Sequence, residues 1–158
     1  MSFQVGDKVI HNVFGLGEIV QIEEKLIHNH PTSCYVVQVD DLTIWVPMEQ
    51  QQQTSLRLPT SAEEFIKVIP ILASPNEVLQ EDRAQRKHQL VEQLNDGKLA
   101  SICCVVRDLT HFQRSSKLSD QEKTILNRAI NSLLTEWTLS LGIPLSKAQQ
   151  NMESLLQN

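Results

Sequence analysis

The feature that most constrains this chain is a change in hydrophobic periodicity at Pro59. Before this proline, apolar residues occur in short, β-branched runs such as 34–39 and 42–46, a pattern typical of strands. After it, apolar residues recur at the spacing expected of amphipathic helices. The sequence therefore predicts an α+β protein, with a β domain over residues 1–58 and a helical domain over residues 59–158.

The β region combines its apolar runs with turn signals and closely spaced glycines. Gly6-Asp7 is a turn signal, and Gly15 and Gly17 lie between two apolar runs, where glycine marks a bend, a bulge or a close backbone approach. Further strands are predicted over residues 34–39, 42–46 and 56–58. These features favour a small antiparallel β-barrel of the Tudor or SH3 kind, although the local pattern fits any other small β-domain as well.

The helical region is predicted to form a compact bundle of about five helices. The helices begin near Ser61, Asn76, Leu99, Ser119 and Ser146, and the second extends to Leu94. Ser119 and Glu122 form a capping box, and Ser61 and Ser146 begin the same pattern. Pro70 is expected to kink the first helix or to end it early. Because each helix is amphipathic, we expect them to share one core.

Composition and charge limit the kinds of partner that this chain is expected to bind. The chain has 158 residues and a net charge of −5, of which −4 falls in residues 1–58 and −1 in residues 59–158. A contact with phosphate is therefore expected from the helical half, through a local basic patch. The three cysteines are an odd number without a CxxC motif, which favours a reducing cytoplasm, and the sequence shows neither a membrane span nor a secretory signal.

Catalytic motifs are absent from the sequence. It contains no phosphate-binding GxxxxGK[ST] loop, no GxGxxG and no GxSxG. His28 and His30 lie two residues apart and could share a metal, but without a third ligand nearby a solvated loop is favoured. We therefore expect a protein that is not an enzyme and that holds neither a cofactor nor a metal.

One cluster of basic residues remains in the second predicted helix. Arg83, Arg86 and Lys87 have the spacing that places side chains on one helix face, and Lys123 follows the start of the fourth helix. Two interpretations stay open for these residues. They form either an ordinary solvated surface or a surface that contacts phosphate.

The order of several motifs resembles the CarD/CdnL family of bacterial transcription regulators. The similar segments are "FQVGDKVIHNVFGLGEIVQIEEKLI", "DDLTIWVP", "SLRLP", "VVRDL" and "LSDQEKTILNRAINSLLTE". The resemblance implies a Tudor-like domain that interacts with RNA polymerase, followed by a helical domain that binds DNA. In this family the barrel pairs an edge strand with the lobe of the polymerase β subunit. The helical domain meets promoter DNA at the upstream edge of the bubble, where a Trp wedge stabilises the open complex.

The resemblance also implies roles for individual residues. The expected polymerase-binding residues are Lys25, Leu42, Ile44, Trp45, Val46 and Arg57, and the expected DNA-binding residues are Arg83, Arg86, Lys87 and Lys123. Lys25 falls where family members carry a basic contact residue, and Trp45 falls where they often carry Arg. Because Ile44 and Trp45 point to opposite faces of a strand, one of them must face inward. Arg83 falls where the family carries its wedge Trp, and the second Trp, Trp137, lies in the apolar stripe of the fourth helix.

These observations predict a monomeric, cytoplasmic transcription regulator that associates with the nucleoid through RNA polymerase. It is expected to contact promoter DNA with modest affinity and without sequence specificity. The alternative is a protein-interaction module that binds polymerase but has lost the DNA wedge. An RNA-binding barrel is disfavoured by the acidic charge of residues 1–58.

Overall fold

The computed structural model describes residues 3–48 and 55–157 of the chain. The chain divides into two compact units, Met1–Pro59 and Thr60–Asn158. The first contains the strands and the second contains the helices. The predicted α+β class, with strands preceding helices, is confirmed.

The described residues of the first unit form one antiparallel sheet of five strands. They are β1 (Lys8–His11), β2 (Gly15–Ile27), β3 (His30–Val39), β4 (Leu42–Pro47) and β5 (Leu56–Arg57). Their spatial order is β4-β3-β2-β1-β5. Among the described residues no pairing joins β4 to β5, so the sheet is open rather than closed into the predicted barrel. The open order leaves β4 at one edge.

Tight backbone geometry sets the connections and the register of the sheet. Ile27 pairs with His30, so the intervening His28 and Asn29 form a two-residue hairpin turn, and both have positive φ, at 50° and 65°. Glycine is required at position 17 for a different reason, because this residue packs closely against β3. A Cβ at this position would lie 2.7 Å from Cγ2 of Val39 and 2.8 Å from the carbonyl oxygen of Gln38.

The core of the sheet unit lies against one face of these strands. Phe3 packs edge-on against Tyr35 with ring centroids 5.5 Å apart, and the Tyr35 hydroxyl accepts a hydrogen bond from the Phe3 N–H at 3.0 Å. Val9, Ile19 and Val37 are fully buried in the same cluster. His11 is also buried, and its Nδ1 accepts the backbone N–H groups that begin the following turn. Burial lowers the pKa of His11.

The second unit contains five α-helices and one 3₁₀ helix among the described residues. They are α1 (Ala62–Val68), the 3₁₀ helix (Ile69–Ala73), α2 (Arg83–Asn95), α3 (Leu99–Ser115), α4 (Asp120–Leu141) and α5 (Leu145–Leu156). The change to 3₁₀ geometry occurs next to Pro70, as predicted, because proline cannot donate the α-helical hydrogen bond. The capping box of Ser119 and Glu122 is confirmed.

Two helix starts differ from the sequence predictions. The second helix begins at Arg83 rather than Asn76, because the Asp82 side chain accepts the N–H of Gln85 and caps the helix there. The fifth helix begins at Leu145 with Pro144 as its N-cap, so the predicted cap at Ser146 is wrong. The ring of Pro144 fixes its φ at a value suited to the start of a helix, so α5 begins there without a side-chain cap.

The helices share one apolar core, as predicted. Trp137 is fully buried in it and packs against Phe65 with ring centroids 5.4 Å apart, which confirms that this Trp is a core residue. Glu136 beside it is 2% exposed, and its Oε2 accepts both the N–H and the hydroxyl of Thr60, at 2.9 and 2.6 Å. These bonds hold the first residue of this unit against α4. Within the described ranges, no helix is long and apolar enough to span a membrane.

Candidate functional site

Strand β4 presents a free backbone edge. Its inner side pairs with β3, and the N–H of Met48 donates to the Ser33 carbonyl at 2.9 Å. Hydrogen-bonding direction alternates along an antiparallel strand, so Thr43 and Trp45 direct their N–H and C=O groups away from β3. In residues 3–48 and 55–157, no strand pairs with this outer side. Pro47 lacks an N–H, which limits the length of any ladder formed here.

The side chains of β4 divide between the two faces of the sheet. Val46 is 5% exposed and Ile44 packs against the same core, so both point inward and neither presents its side chain to a partner. Any contribution of Ile44 and Val46 to docking would therefore come from the backbone of the strand, because strand alternation turns their side chains toward the core. Leu42 remains exposed at the start of the strand. Thr43 lies within the strand predicted to pair, and the alternation that places Trp45 outward applies to it equally.

Trp45 and Lys25 form one surface feature on the face opposite the core. The Nζ of Lys25 lies 4.0 Å from the centroid of the Trp45 ring, a cation–π contact. Lys25 belongs to β2 and Trp45 to β4, so this contact passes over β3. On that face of β3, Cys34 is fully buried and Val36, the direct partner of Trp45, is 5% exposed. Trp45 itself is 38% exposed, so the pair lies beside two buried side chains and still faces solvent.

Arg57 lies elsewhere in the sheet. It belongs to β5, which pairs with β1 at the opposite edge from β4. Its Nη1 donates to the carbonyl of Leu58 at 3.3 Å. The structure therefore brings Lys25 and Trp45 together but does not bring Arg57 to the β4 edge of the sheet.

Arg86 does not lie on the basic surface that its spacing predicted. It is 7% exposed, and its Nε donates to Oε2 of Glu122, which is itself 1% exposed. Its Nη1 donates to the carbonyls of Gln80 and Glu81 at 3.1 and 3.2 Å, and its guanidinium stacks 4.7 Å from the centroid of Phe112. Arg86 therefore joins α2 to α4 inside the unit, and its guanidinium is not exposed on the helix face that the sequence spacing indicated.

The electrostatics of Glu122 follow from this ion pair. Burial alone raises the pKa of the carboxyl, but hydrogen bonds from Arg86 and Ser119 outweigh burial and leave the pKa below its usual range. The carboxylate thus stays charged and holds both the guanidinium and the capping box. This arrangement fixes the first turn of α2 against the first turn of α4.

Arg83, Lys87 and Lys123 are exposed around this ion pair. Arg83 and Lys87 flank Arg86 in the first turns of α2, and Lys123 follows Glu122 directly in α4. The Arg86–Glu122 contact brings their backbones together, so three of the four predicted DNA-binding residues share one region of the helical unit.

The rest of the exposed surface of α2 is not basic. His88 contacts Glu92 at 3.2 Å, and Glu77, Glu92 and Asp96 line a shallow groove along the helix with several glutamines. No lysine or arginine lines this groove among the described residues. A polyanion would be attracted to the first turns of α2 and repelled from the remainder of its length.

The histidine pair lies at the β2–β3 hairpin, with His28 in the turn and His30 at the start of β3. No group of three potential metal-ligating residues occurs in the part of the chain that the structure describes.

Comparisons with known proteins match each unit to a CarD-related family model. Residues 3–58 match the family described as the CarD-like/TRCF RID domain, and residues 67–153 match the CarD C-terminal domain. The chain is also similar to YdeB of Bacillus subtilis (strain 168), with 24% identity over 143 residues that cover 89% of this chain and 94% of that protein.

Proposed function

Because the chain belongs to the CarD family of transcription factors, we propose that it docks on the β-subunit lobe of RNA polymerase and contacts promoter DNA. The sheet unit supplies the docking surface, and the helical unit meets DNA at the upstream edge of the transcription bubble. The protein acts in the cytoplasm as a non-enzymatic regulator that modulates the stability of the open complex.

The observation that carries this proposal is the unpaired outer edge of β4. A partner strand added there would hydrogen-bond to the outward N–H and C=O groups of Thr43 and Trp45, as in other cases of β-strand addition. The carbonyl of Pro47 extends the ladder by one acceptor, but its missing N–H ends it. We therefore expect a short added strand whose affinity depends on side-chain contacts beside the ladder.

The Lys25–Trp45 pair supplies those contacts. A half-exposed Trp beside a free edge is a typical interface anchor, because it buries a large area at low cost in side-chain entropy. Lys25 above the ring adds a positive charge that fits an acidic residue on the partner strand. The pair combines apolar and charged recognition on one face of the sheet.

The expected strength of DNA binding follows from the three exposed basic side chains. If Arg83, Lys87 and Lys123 each neutralise one phosphate, the logarithm of the binding constant should fall with the logarithm of salt concentration with a slope of roughly −3. Such binding is weak alone, and tethering by polymerase raises the effective concentration of the domain near DNA. Arg83 can enter a narrow minor groove but cannot unstack bases as an apolar wedge does, so bubble stabilisation is weaker than with a Trp.

A reverse-charge experiment tests the DNA contact. The variant Arg83→Glu/Lys87→Glu should shorten open-complex lifetime relative to the wild type, while binding to the polymerase lobe stays unchanged. Lys67→Glu is the matched control, since Lys67 is an exposed residue of α1 with carboxylates 3.6 Å away. An unchanged lifetime in the double variant would favour the second candidate, a polymerase-binding module without DNA contact, which the acidic groove along α2 also supports.

A further inference from the structure

A small cavity in the helical unit gathers basic side chains that the proposed function does not use. It has a volume of about 250 Å³ and lies between the end of the 3₁₀ helix and the second half of α3. Its polar lining comes from Ser74, Asn76, Arg107, Thr110, His111 and Arg114. No carboxylate lines this cavity among the described residues.

Arg107 is the buried base of this cavity. Its side chain is 10% exposed, its Nε donates to Oδ1 of Asp108 at 2.8 Å, and its Nη1 donates to the Ser74 hydroxyl at 2.8 Å. It also contacts the thiol of Cys104. A guanidinium carries five N–H groups, so these three contacts leave at least two for another acceptor.

Arg114 is the outer wall of the cavity and lies two helical turns beyond Arg107. It is exposed, and its Nη2 donates to the carbonyl of Leu156 at the end of α5, which holds the side chain over the cavity. His111 lies between the two arginines on the same helix face and adds another N–H. Asp108 offsets the charge of Arg107, so Arg114 gives the cavity a net positive charge.

We propose that this cavity binds a small tetrahedral oxyanion of the phosphate class, either inorganic phosphate or the terminal group of a phosphate monoester. The two guanidinium groups and the imidazole that line the cavity match the acceptor oxygens of such an anion, since arginine binds phosphate through paired hydrogen bonds. The hydroxyl of Thr110 is a further possible donor, whereas the Ser74 hydroxyl donates to the Ile71 carbonyl. The volume holds a phosphate with a small substituent and is below that of most drug-sized ligand sites.

The depth of Arg107 favours a small anion over a nucleic-acid backbone. A phosphodiester strand lying on the surface reaches the exposed Arg114 but not a guanidinium that is 10% exposed at the base of a cavity. A terminal phosphate enters the cavity and contacts both arginines. The site is also separate in its residues from Arg83, Lys87 and Lys123, so its failure and the failure of the DNA contact are distinguishable.

The test is a titration of the full-length protein with inorganic phosphate and with methyl phosphate, at constant ionic strength set with chloride. Backbone amide shifts of Ser74, Asn76 and residues 110–114 in ¹⁵N–¹H NMR spectra report binding. We expect saturable shifts with a dissociation constant in the millimolar range. Tighter binding of methyl phosphate would identify an ester as the ligand, and tighter binding of inorganic phosphate would identify the free anion.

Two variants make the titration specific. Arg114→Gln should raise the dissociation constant by about tenfold, because it removes a charge-assisted contact from an exposed side chain without disturbing the core. Arg83→Gln should leave phosphate binding unchanged while weakening DNA binding. Equal shifts with chloride alone, or equal affinity in the wild type and Arg114→Gln, would overturn the proposal. Larger shifts of the same amides with duplex DNA than with methyl phosphate would also overturn it and assign the cavity to nucleic acid.

Discussion

Replacing Arg86 with Met tests the view that a buried ion pair fixes the first turn of α2 against α4. The substitution retains much of the side-chain volume but removes every hydrogen bond of the guanidinium, including the one to Glu122. Glu122 is 1% exposed and would keep only the capping contact with Ser119 at 2.9 Å. An uncompensated buried carboxylate typically costs about 3–5 kcal/mol.

That loss is large for a unit of this size, whose free energy of unfolding is typically about 5–15 kcal/mol. Urea unfolding followed by circular dichroism at 222 nm measures it, because the helices dominate that signal. The midpoint for the helical unit should fall by roughly 2 M urea. The control is Lys67→Met, which breaks an ion pair of exposed side chains and should cost less than about 1 kcal/mol.

A double variant separates the effect of the buried charge on stability from the effect of side-chain packing. In Arg86→Met/Glu122→Gln the amide oxygen of the new side chain still accepts the Ser119 N–H, and no charge remains buried. The double variant should therefore be more stable than Arg86→Met alone, by about 1–3 kcal/mol, because the unpaired buried charge has been removed. If Arg86→Met costs no more than Lys67→Met, or if the double variant is the least stable of all, the reasoning about the ion pair is refuted.

Three further predictions concern single residues. Because burial lowers the pKa of His11, its imidazole binds a proton less readily in the folded sheet unit than in the unfolded chain. The stability of the unit should therefore fall as pH drops through 6.5. The urea midpoint should show this loss, and a His11→Gln variant should lack it. Gly17→Ala places a Cβ 2.7 Å from Val39 and should destabilise the sheet by about 1–3 kcal/mol in thermal unfolding. Burial raises the pKa of Cys103 to about 12, so iodoacetamide at pH 8 should alkylate this thiol only in denaturant, and alkylation of the native protein would contradict its burial.

Local signals predicted much of the secondary structure. The period change at Pro59 separated strands from helices, and the pairing of Ser119 with Glu122 located the start of α4. Alternation along β4 required Ile44 or Trp45 to face inward, and Ile44 does. These features depend on residues close in sequence, for which period and capping chemistry are sufficient.

Features that depend on distant residues could not be predicted in the same way. The spacing of Arg83, Arg86 and Lys87 placed them on one side of a helix, but it contained no information about Glu122, which buries only Arg86. Closure of the sheet was likewise inferred from short connections and glycines, whereas the pairing order among the described residues leaves it open. The bonds from Thr60 to Glu136 join residues 76 positions apart and had no sequence signal.

The contact between Lys25 and Trp45 illustrates an intermediate case. The sequence resemblance singled out each residue, but only the order β4-β3-β2 explains how they meet across an intervening strand. Cys34 and Val36, which lie on the same face as this contact, belong to the continuous apolar run 34–37, all of which is buried. Such a run indicates a strand covered on both faces, but it does not show which residues cover it.

The most direct test of the central claim is binding of the full-length protein to the isolated β-subunit lobe of its own RNA polymerase, by calorimetry. The wild type is compared with Lys25→Glu, with Thr43→Pro, which removes one outward N–H while sparing the β3 pairing, and with the control Lys67→Glu on the helical unit. The account predicts micromolar or tighter binding that both sheet variants weaken at least tenfold and the control leaves unchanged. No binding by the wild type, or equal binding by all four proteins, would contradict it.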